Sequence, residues 1–392
     1  MRILIILFAL SAAFDAVAQT LADIDAKAGK LMAEPNRHEY EYELPQWCKA
    51  AAKALQYAEN DSIEAFEPSY LKKLTTGEAT IFYFVERSLT DARLHWIARV
   101  GDRAMFFENQ INSTATSLHF AATTDETLTG FEVTDSLLNK QLLYIPDIAL
   151  MFDFETIADV KQSDEAKNSA LESIQSKLDL LLKTHDALSV SLDALPRLFS
   201  VSNSAGTVRL LTYMVAYGDF SCRFAGLLVS RKQNGKIDIT RLKDQSTEIR
   251  SPERVKLSPT KWYGAVYTEL IEIEVDNQTY YTLLGYRGND GLVKTRILEV
   301  LAIQGNKVTF GAPLFVHEKI TYSRRVFRYS ADASMMIRFD ARRKMIVFDH
   351  LAPSSNTFTG EARFYGPDFS YDAYERTKRG WVFKDDVDLR ND

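Results

Sequence analysis

The chain has 392 residues and a formal net charge of −6, and 46% of its residues are hydrophobic, 11% aromatic and 26% charged. These fractions are ordinary for a globular protein and exclude a chain that is disordered over most of its length. A negative chain without a run of Lys or Arg also argues against a protein that binds nucleic acid or an anionic membrane. Its length predicts two or three domains.

The first residues have the order of a secretory signal peptide. Arg2 precedes the apolar run 3–10, and small residues lead to Ala16-Val17-Ala18. The run is shorter than the roughly 20 apolar residues that cross a bilayer, so we expect residues 1–18 to be cleaved rather than to anchor the chain. No later segment reads as a membrane span. The expected location is therefore the periplasm or the exterior, with outer-membrane association left open.

Residues 19–190 are predicted to form a mixed region of helices and strands. Apolar residues recur at helical spacing before about Asn60, although the alternation in 39–43 predicts a brief edge strand. The period then changes to about two. Strands are expected at 80–85, 94–100 and 104–107. The clearest helix is amphipathic and covers 164–187.

Residues 191–392 are predicted to be rich in strands. Asn234-Gly235 is a strong hairpin signal, because both positions of a type I′ turn require positive φ. Further hairpins are expected around 276–278, 305–306 and 341–344. The fold class is therefore α+β, with a mixed N-terminal region and an antiparallel C-terminal domain. A sandwich or barrel is favoured over a propeller-like array, because no repeat of fixed sequence recurs.

Acidic and imidazole side chains cluster near the C-terminus, at Asp349, His350, Asp368 and Asp372. A carboxylate pair with an imidazole is the minimum set for general acid–base catalysis, so a hydrolase site is expected here if anywhere. The competing and favoured interpretation is turn chemistry, because Gly-Pro-Asp forms turns in which Asp accepts backbone N–H groups.

Four aromatic residues of the C-terminal domain are candidates for stacking on a sugar or a peptide: Trp262, Tyr263, Tyr267 and Tyr281. Aromatic pairs also stabilise strand cores without any ligand, and that role is the more frequent one.

No pattern predicts a metal or a cofactor. The six histidines lack metal-ligand spacing, and His95 is expected to be an interior residue of a strand. Nucleotide-binding glycine motifs and the hydrolase nucleophile elbow are absent from the sequence. The pairing of Cys48 with Cys222 is left open, with two separate thiols preferred. The pair Arg324-Arg325 is expected at a solvated turn or strand edge.

Four segments in the C-terminal half carry a resemblance to a known family: WYGAVY at 262–267, YTLLGY at 281–286, VFDHL at 347–351 and FYGPDFSYD at 364–372. Over residues 190–392 the chain resembles a family of uncharacterised proteins exported by Bacteroidetes-type bacteria. The resemblance implies export and carries no activity. We therefore expect an exported binding or structural module for an envelope protein or a glycan, with a hydrolase as the alternative.

Overall fold

The structure is a computed structural model that describes residues 21–34, 36–76, 79–87, 92–100, 103–111, 118–124, 128–135, 140–146, 148–190, 192, 195 and 197–389. The expected signal peptide, 1–18, lies outside the described residues. Contacts divide the chain into two compact units, Met1–Phe152 and Asp153–Asp392. No helix within the described ranges is long and apolar enough to cross a membrane.

The first unit combines helices with two antiparallel sheets. Its helices are α1 (21–33), α2 (Arg37–Tyr57) and α3 (Asn60–Ala65). Its first sheet has the order β1 (Lys72–Thr76), β2 (Ala79–Arg87), β3 (Ala92–Val100) and β4 (Arg103–Ile111). Its second sheet has the order β5 (Leu118–Thr124), β6 (Leu128–Asp135) and β7 (Lys140–Pro146). Helix α4 (Ile148–Ala158) crosses the division between the units.

Helix α2 corrects the expected edge strand at 39–43, because these residues are helical. The side chain of Asn36 caps the helix by accepting a hydrogen bond from the His38 N–H at 3.1 Å. The buried residues of α2 recur at helical spacing: Tyr40, Trp47, Cys48, Ala51 and Leu55. They pack into a core with residues of β2 and β3, and this tertiary packing outweighs the local alternation of Glu and Tyr.

His95 is an interior residue of β3, as its apolar surroundings predict. Its side chain is fully buried, with Nε2 3.0 Å from a carboxylate oxygen of Glu86 and Nδ1 3.5 Å from one of Glu108. Its ring stacks on Phe84 at a centroid distance of 4.9 Å. The Nε2 contact gives the imidazole a hydrogen-bond partner within the sheet, whereas Nδ1 has none among the described residues.

The second unit begins with helix α5 and continues as strands. Helix α5 covers Asp164–Thr184 and confirms the amphipathic helix expected at 164–187. Ser163 caps it by accepting a hydrogen bond from the Ala166 N–H at 3.2 Å. The change of sequence pattern places a boundary after residue 190, whereas the division by contacts places α5 in the second unit.

The strands of the second unit form three sheets. The first holds β8 (Phe199–Ser202), β9 (Val208–Ala216), β10 (Cys222–Arg231) and β11 (Ile237–Lys243). The second, the central sheet, holds β12 (Val266–Val275), β13 (Gln278–Asn289), β14 (Val293–Gln304), β15 (Lys307–Phe310) and β18 (Arg324–Ser330). The third holds β16 (Phe315–His317), β17 (Ile320–Tyr322), β19 (Ile337–Asp340), β20 (Met345–Pro353), β21 (Tyr365–Thr377) and β22 (Gly380–Lys384). Only β16 and β22 pair in parallel among the described strands.

The central sheet is buried on both faces in its middle. Leu283 and Ile297 belong to a core shared with the first sheet, whereas their neighbours Leu284 and Leu298 belong to a core shared with the third. Successive residues of a strand point to opposite faces, so the central sheet separates two hydrophobic cores. The expected α+β class, with an antiparallel β-rich C-terminal part, is confirmed.

The turns differ from the expected ones in one place. Gly235 has φ of +81°, but Asn234 is not in the left-handed region, so their turn is not type I′. Positive φ at two successive positions occurs instead at Asp276 (+51°) and Asn277 (+59°), between β12 and β13. There the strand ends Val275 and Gln278 pair directly, so only two residues are left to reverse the chain.

Candidate functional site

A concave pocket of about 730 Å³ lies at one end of the central sheet. We call it the arginine pocket. It is lined by Ser251, Pro252, Glu253, Arg254, Tyr263, Arg287, Gly288, Asp290, Val293, Thr295, Tyr322, Val326 and Arg328. Its floor comes from β14 and β18, where Thr295 pairs with Arg328 across the two strands.

A buried ion pair holds one wall of this pocket. Arg324 and Glu299 are both fully buried, and the Arg324 Nε donates to Glu299 Oε1 at 2.7 Å. The Nη1 of Arg324 donates to the carbonyls of Pro252 and Val255, and Nη2 to that of Phe310 at 3.3 Å. Because the carbonyls of Pro252 and Val255 flank Glu253 and Arg254, the buried guanidinium positions the segment that forms the wall.

Hydrogen bonds connect the ion pair to two of the aromatic candidates. Tyr267 Oη donates to Glu299 Oε2, and Trp262 Nε1 donates to Tyr267 Oη at 3.0 Å. Burial, with the charge of Glu299 added, raises the pKa of Tyr267 well above its usual value, so the hydroxyl stays protonated and keeps donating. Trp262, Tyr267, Glu299 and Arg324 therefore form one satisfied polar chain within the core.

The four aromatic candidates have different surroundings. Trp262 and Tyr267 have no exposed surface, so they act in the core and present no ring to a ligand. Tyr263 lies in the wall of the arginine pocket, where the Arg287 guanidinium sits 4.0 Å from its ring centroid. Tyr281 lines a different pocket.

That second pocket, of about 720 Å³, lies at the opposite end of β13 and β14, and we call it the hairpin pocket. It is lined by Thr207, Val208, Ser230, Arg231, Lys232, Gln233, Asn234, Gln278, Thr279, Tyr281, Ile303, Gln304, Gly305 and Asn306. Five of these side chains are amides, and none is a carboxylate or an imidazole. Gln304 Nε2 donates to Gln278 Oε1 at 2.8 Å, which joins two of the turns.

The acid–base candidates converge only in part. His350 Nδ1 lies 2.8 Å from Asp372 Oδ2, and neither residue lines the arginine pocket or the hairpin pocket. Asp349 accepts a hydrogen bond from the Met336 N–H at 2.6 Å. Asp368 accepts bonds from both the N–H and the hydroxyl of its near neighbour Ser370. Asp349 thus bonds across strands to the residue before β19, Asp368 bonds within its own segment, and Asp372 pairs with the imidazole.

The pairing changes the titration of His350. The hydrogen bond with Asp372 raises the pKa of His350 above its usual 6.5 against the opposing effect of partial burial, and the charges of Asp372 and Asp368 add to the rise. Because the folded-state pKa is raised, the stabilisation from this pair is complete below about pH 6.5 and is lost as the pH rises through the shifted value.

We expect Asp372→Asn to lower the pKa of His350 toward its usual value, because the asparagine removes the charge that favours the imidazolium. An NMR titration of the His350 ring signals measures this directly. Asp368→Asn serves as the matched comparison and should produce a smaller decrease, since Asp368 acts only through its charge. An unchanged His350 pKa in Asp372→Asn would contradict the pairing.

The described residues contain no group of three His, Cys, Asp or Glu side chains that could hold a metal ion. Cys48 and Cys222 are thiols rather than a disulfide. Burial raises the pKa of the Cys48 thiol to about 12, which keeps it protonated and unreactive at neutral pH.

Sequence reasoning missed the arginine pocket. Arg324 was expected at a solvated turn or edge and is instead fully buried, because β18 pairs with β14 and carries Arg324 opposite Glu299. One signal was present: Glu299 is a lone acid inside the apolar run 297–303, and a buried carboxylate requires a cationic partner. No local pattern links Arg254, Arg287 and Arg328.

No protein-family model matches the chain, and no curated protein matches it. Among solved structures, the WD40 domain of SCAP from fission yeast shares 7% identity at a TM-score of 0.21, covering 81% of this chain and 66% of that one. The alpha-L-arabinanase of Cellvibrio cellulosa shares 9% identity at a TM-score of 0.15, covering 62% of this chain and 81% of that one. Likenesses this distant carry no argument about function.

Proposed function

We propose that this protein is an exported binding module and that its C-terminal unit binds a glycan in the hairpin pocket. Export is supported by the charged, apolar and small-residue order of 1–18 and by the resemblance over 190–392. The observation that carries the binding role is the lining of the hairpin pocket, which combines five side-chain amides with Tyr281.

Amide side chains suit sugar hydroxyls because each offers two donors and an acceptor, and each hydroxyl both donates and accepts. Gln233 and Asn306 are exposed on the turns that border the pocket. Tyr281 contributes a mostly buried ring at its base. The volume of about 720 Å³ is within the range of roughly 300–1,000 Å³ that is typical of ligand pockets.

The lining favours binding over catalysis. Glycoside hydrolysis usually requires a pair of carboxyl groups beside the scissile bond, and the hairpin pocket has no carboxyl group in its lining. The hydrolase alternative rests on the His350–Asp372 hydrogen bond, which supplies a general acid–base pair outside this pocket. We therefore rank it second.

A glycan array probed with the mature chain tests the proposal. We expect selective retention on neutral glycans and a loss of about tenfold or more in affinity in the double variant Gln233→Ala/Asn306→Ala, because both changes remove hydrogen bonds to sugar hydroxyls. Asn356→Ala, an exposed asparagine outside both pockets, is the control and should bind like the wild type.

Two outcomes would count against glycan binding. Retention of no glycan, or equal retention by the wild type and the double variant, would show that the hairpin pocket is not a glycan site. Release of reducing ends from a bound glycan, lost in His350→Gln, would instead support the hydrolase.

A further inference from the structure

The arginine pocket carries more cationic side chains than it has carboxylates to balance them. Arg254, Arg287 and Arg328 line it together with Glu253 and Asp290. Within the described part of the chain, none of these three arginines forms an ion pair shorter than 4.0 Å. Guanidinium groups stay charged at any physiological pH, so their charge is available to a ligand.

Both carboxylates of the lining are already engaged by other groups. Glu253 Oε1 lies 3.1 Å from the Arg325 Nη1 and accepts a hydrogen bond from the Val326 N–H at 3.1 Å. Asp290 Oδ1 accepts from the Val293 N–H at 2.7 Å, as a turn carboxylate does. With Glu253 balanced by Arg325, three guanidinium groups face one remaining carboxylate.

Two of the arginines are held in place by aromatic rings. Arg287 lies over the Tyr263 ring at 4.0 Å, and its Nε donates to the Gly264 carbonyl at 2.6 Å. Arg254 lies over the Tyr322 ring at 5.2 Å. A guanidinium that lies over an aromatic ring keeps its remaining N–H donors, and their fork geometry matches a carboxylate.

The residue after Arg287 has a backbone conformation that requires glycine. Gly288 has φ of +84°, and a Cβ at this residue would lie 2.8 Å from Cys222 Sγ. Only glycine fits there, and it allows β13 to carry Arg287 against Tyr263. On the floor, Thr295 supplies a hydroxyl next to Arg328, which is exposed.

We infer that the arginine pocket binds an acidic oligosaccharide through the carboxylate groups of its hexuronic acid residues. The stacked arginines provide bidentate partners for carboxylates, and Tyr263, Tyr322 and Thr295 provide ring edges and a hydroxyl for the sugar itself. A pocket of about 730 Å³ is far larger than a single bound ion requires. This site is separate from the hairpin pocket and does not depend on its ligand.

Calorimetric titration of the Gln233→Ala/Asn306→Ala variant with a hexuronic acid oligosaccharide tests the inference, because the hairpin pocket then does not contribute. A neutral oligosaccharide of the same linkage is the reference ligand. We expect the acidic sugar to bind more tightly than the neutral one, with affinity falling as salt is raised. Arg287→Gln and Arg328→Gln should each weaken binding by about tenfold or more, because each removes a charge-assisted hydrogen bond. Arg379→Gln, an exposed arginine outside both pockets, should leave the affinity unchanged.

Three results would overturn the inference: equal binding of the acidic and neutral sugars, wild-type affinity in both pocket variants, or equally tight binding of inorganic sulfate or of an acidic peptide. Circular dichroism of each variant separates lost binding from lost folding. The double variant Gln233→Ala/Asn306→Ala alters only the hairpin pocket. The glycan-array test of that pocket and the titration of the arginine pocket can therefore succeed or fail separately.

Discussion

Replacing Arg324 with Met is expected to lower the free energy of unfolding of the C-terminal unit by about 3–5 kcal/mol. The change leaves the fully buried Glu299 without its cation and removes the donors that hold the carbonyls of Pro252 and Val255. Chemical denaturation followed by tryptophan fluorescence measures the loss, since Trp262 lies in the same polar chain.

Arg328→Met is the matched control for this experiment, because Arg328 lies on the same strand and is exposed. We expect its effect to be within about 0.5 kcal/mol. In the double variant Arg324→Met/Glu299→Met, much of the lost stability should return, since no buried charge remains. A single variant as stable as the wild type, or strict additivity in the double variant, would show that the pair does not support the fold.

Replacing Trp262 with Ala is expected to cost about 3–5 kcal/mol, which is typical when a large buried aromatic side chain is removed from a core. Trp262 is fully buried, packs near Phe310 at a ring-centroid distance of 6.2 Å, and donates to Tyr267. The conservative change Trp262→Phe keeps most of the volume and should cost less. It still leaves Tyr267 without one hydrogen-bond donor.

This experiment also separates the two roles considered for the aromatic residues. A ring that stacks on a ligand loses binding on substitution while the fold stays intact, whereas a core ring loses stability first. A Trp262→Ala variant with wild-type stability and abolished glycan binding would contradict the core role. The denaturation midpoint and the glycan-array signal of the same preparation decide between them.

Sequence periodicity predicted the elements whose stability is decided locally or by one buried face. Helix α5 has a capping serine and an apolar stripe, and both are visible in consecutive residues. Strand β12 buries Ile271, Ile273 and Val275 while Glu272 and Glu274 stay exposed, as its alternation predicts. Where tertiary packing overrides local alternation, as at 39–43 in α2, the prediction was wrong.

The hairpin pocket and the acid–base pair were harder to predict than the elements, because their residues come from distant segments of the chain. Turn composition indicated places where the chain reverses. Three of the expected turns border the hairpin pocket, but no pattern in the sequence says that these three meet. The convergence of His350 with Asp372 was a condition of the hydrolase alternative only, and the pairing of β20 with β21 brings the two side chains to 2.8 Å.

The sequence by itself determined the α+β class, helix α5, the strands beside the expected hairpins, and the negative charge that argues against nucleic acid as a partner. Only the tertiary structure decided which polar residues are buried. Arg324 and Arg328 are four residues apart on one strand, yet the first is enclosed against Glu299 and the second lines an open pocket. Periodicity reports which face of a strand a residue occupies, whereas burial along that face depends on the neighbouring segments that cover it, which lie far away in the chain.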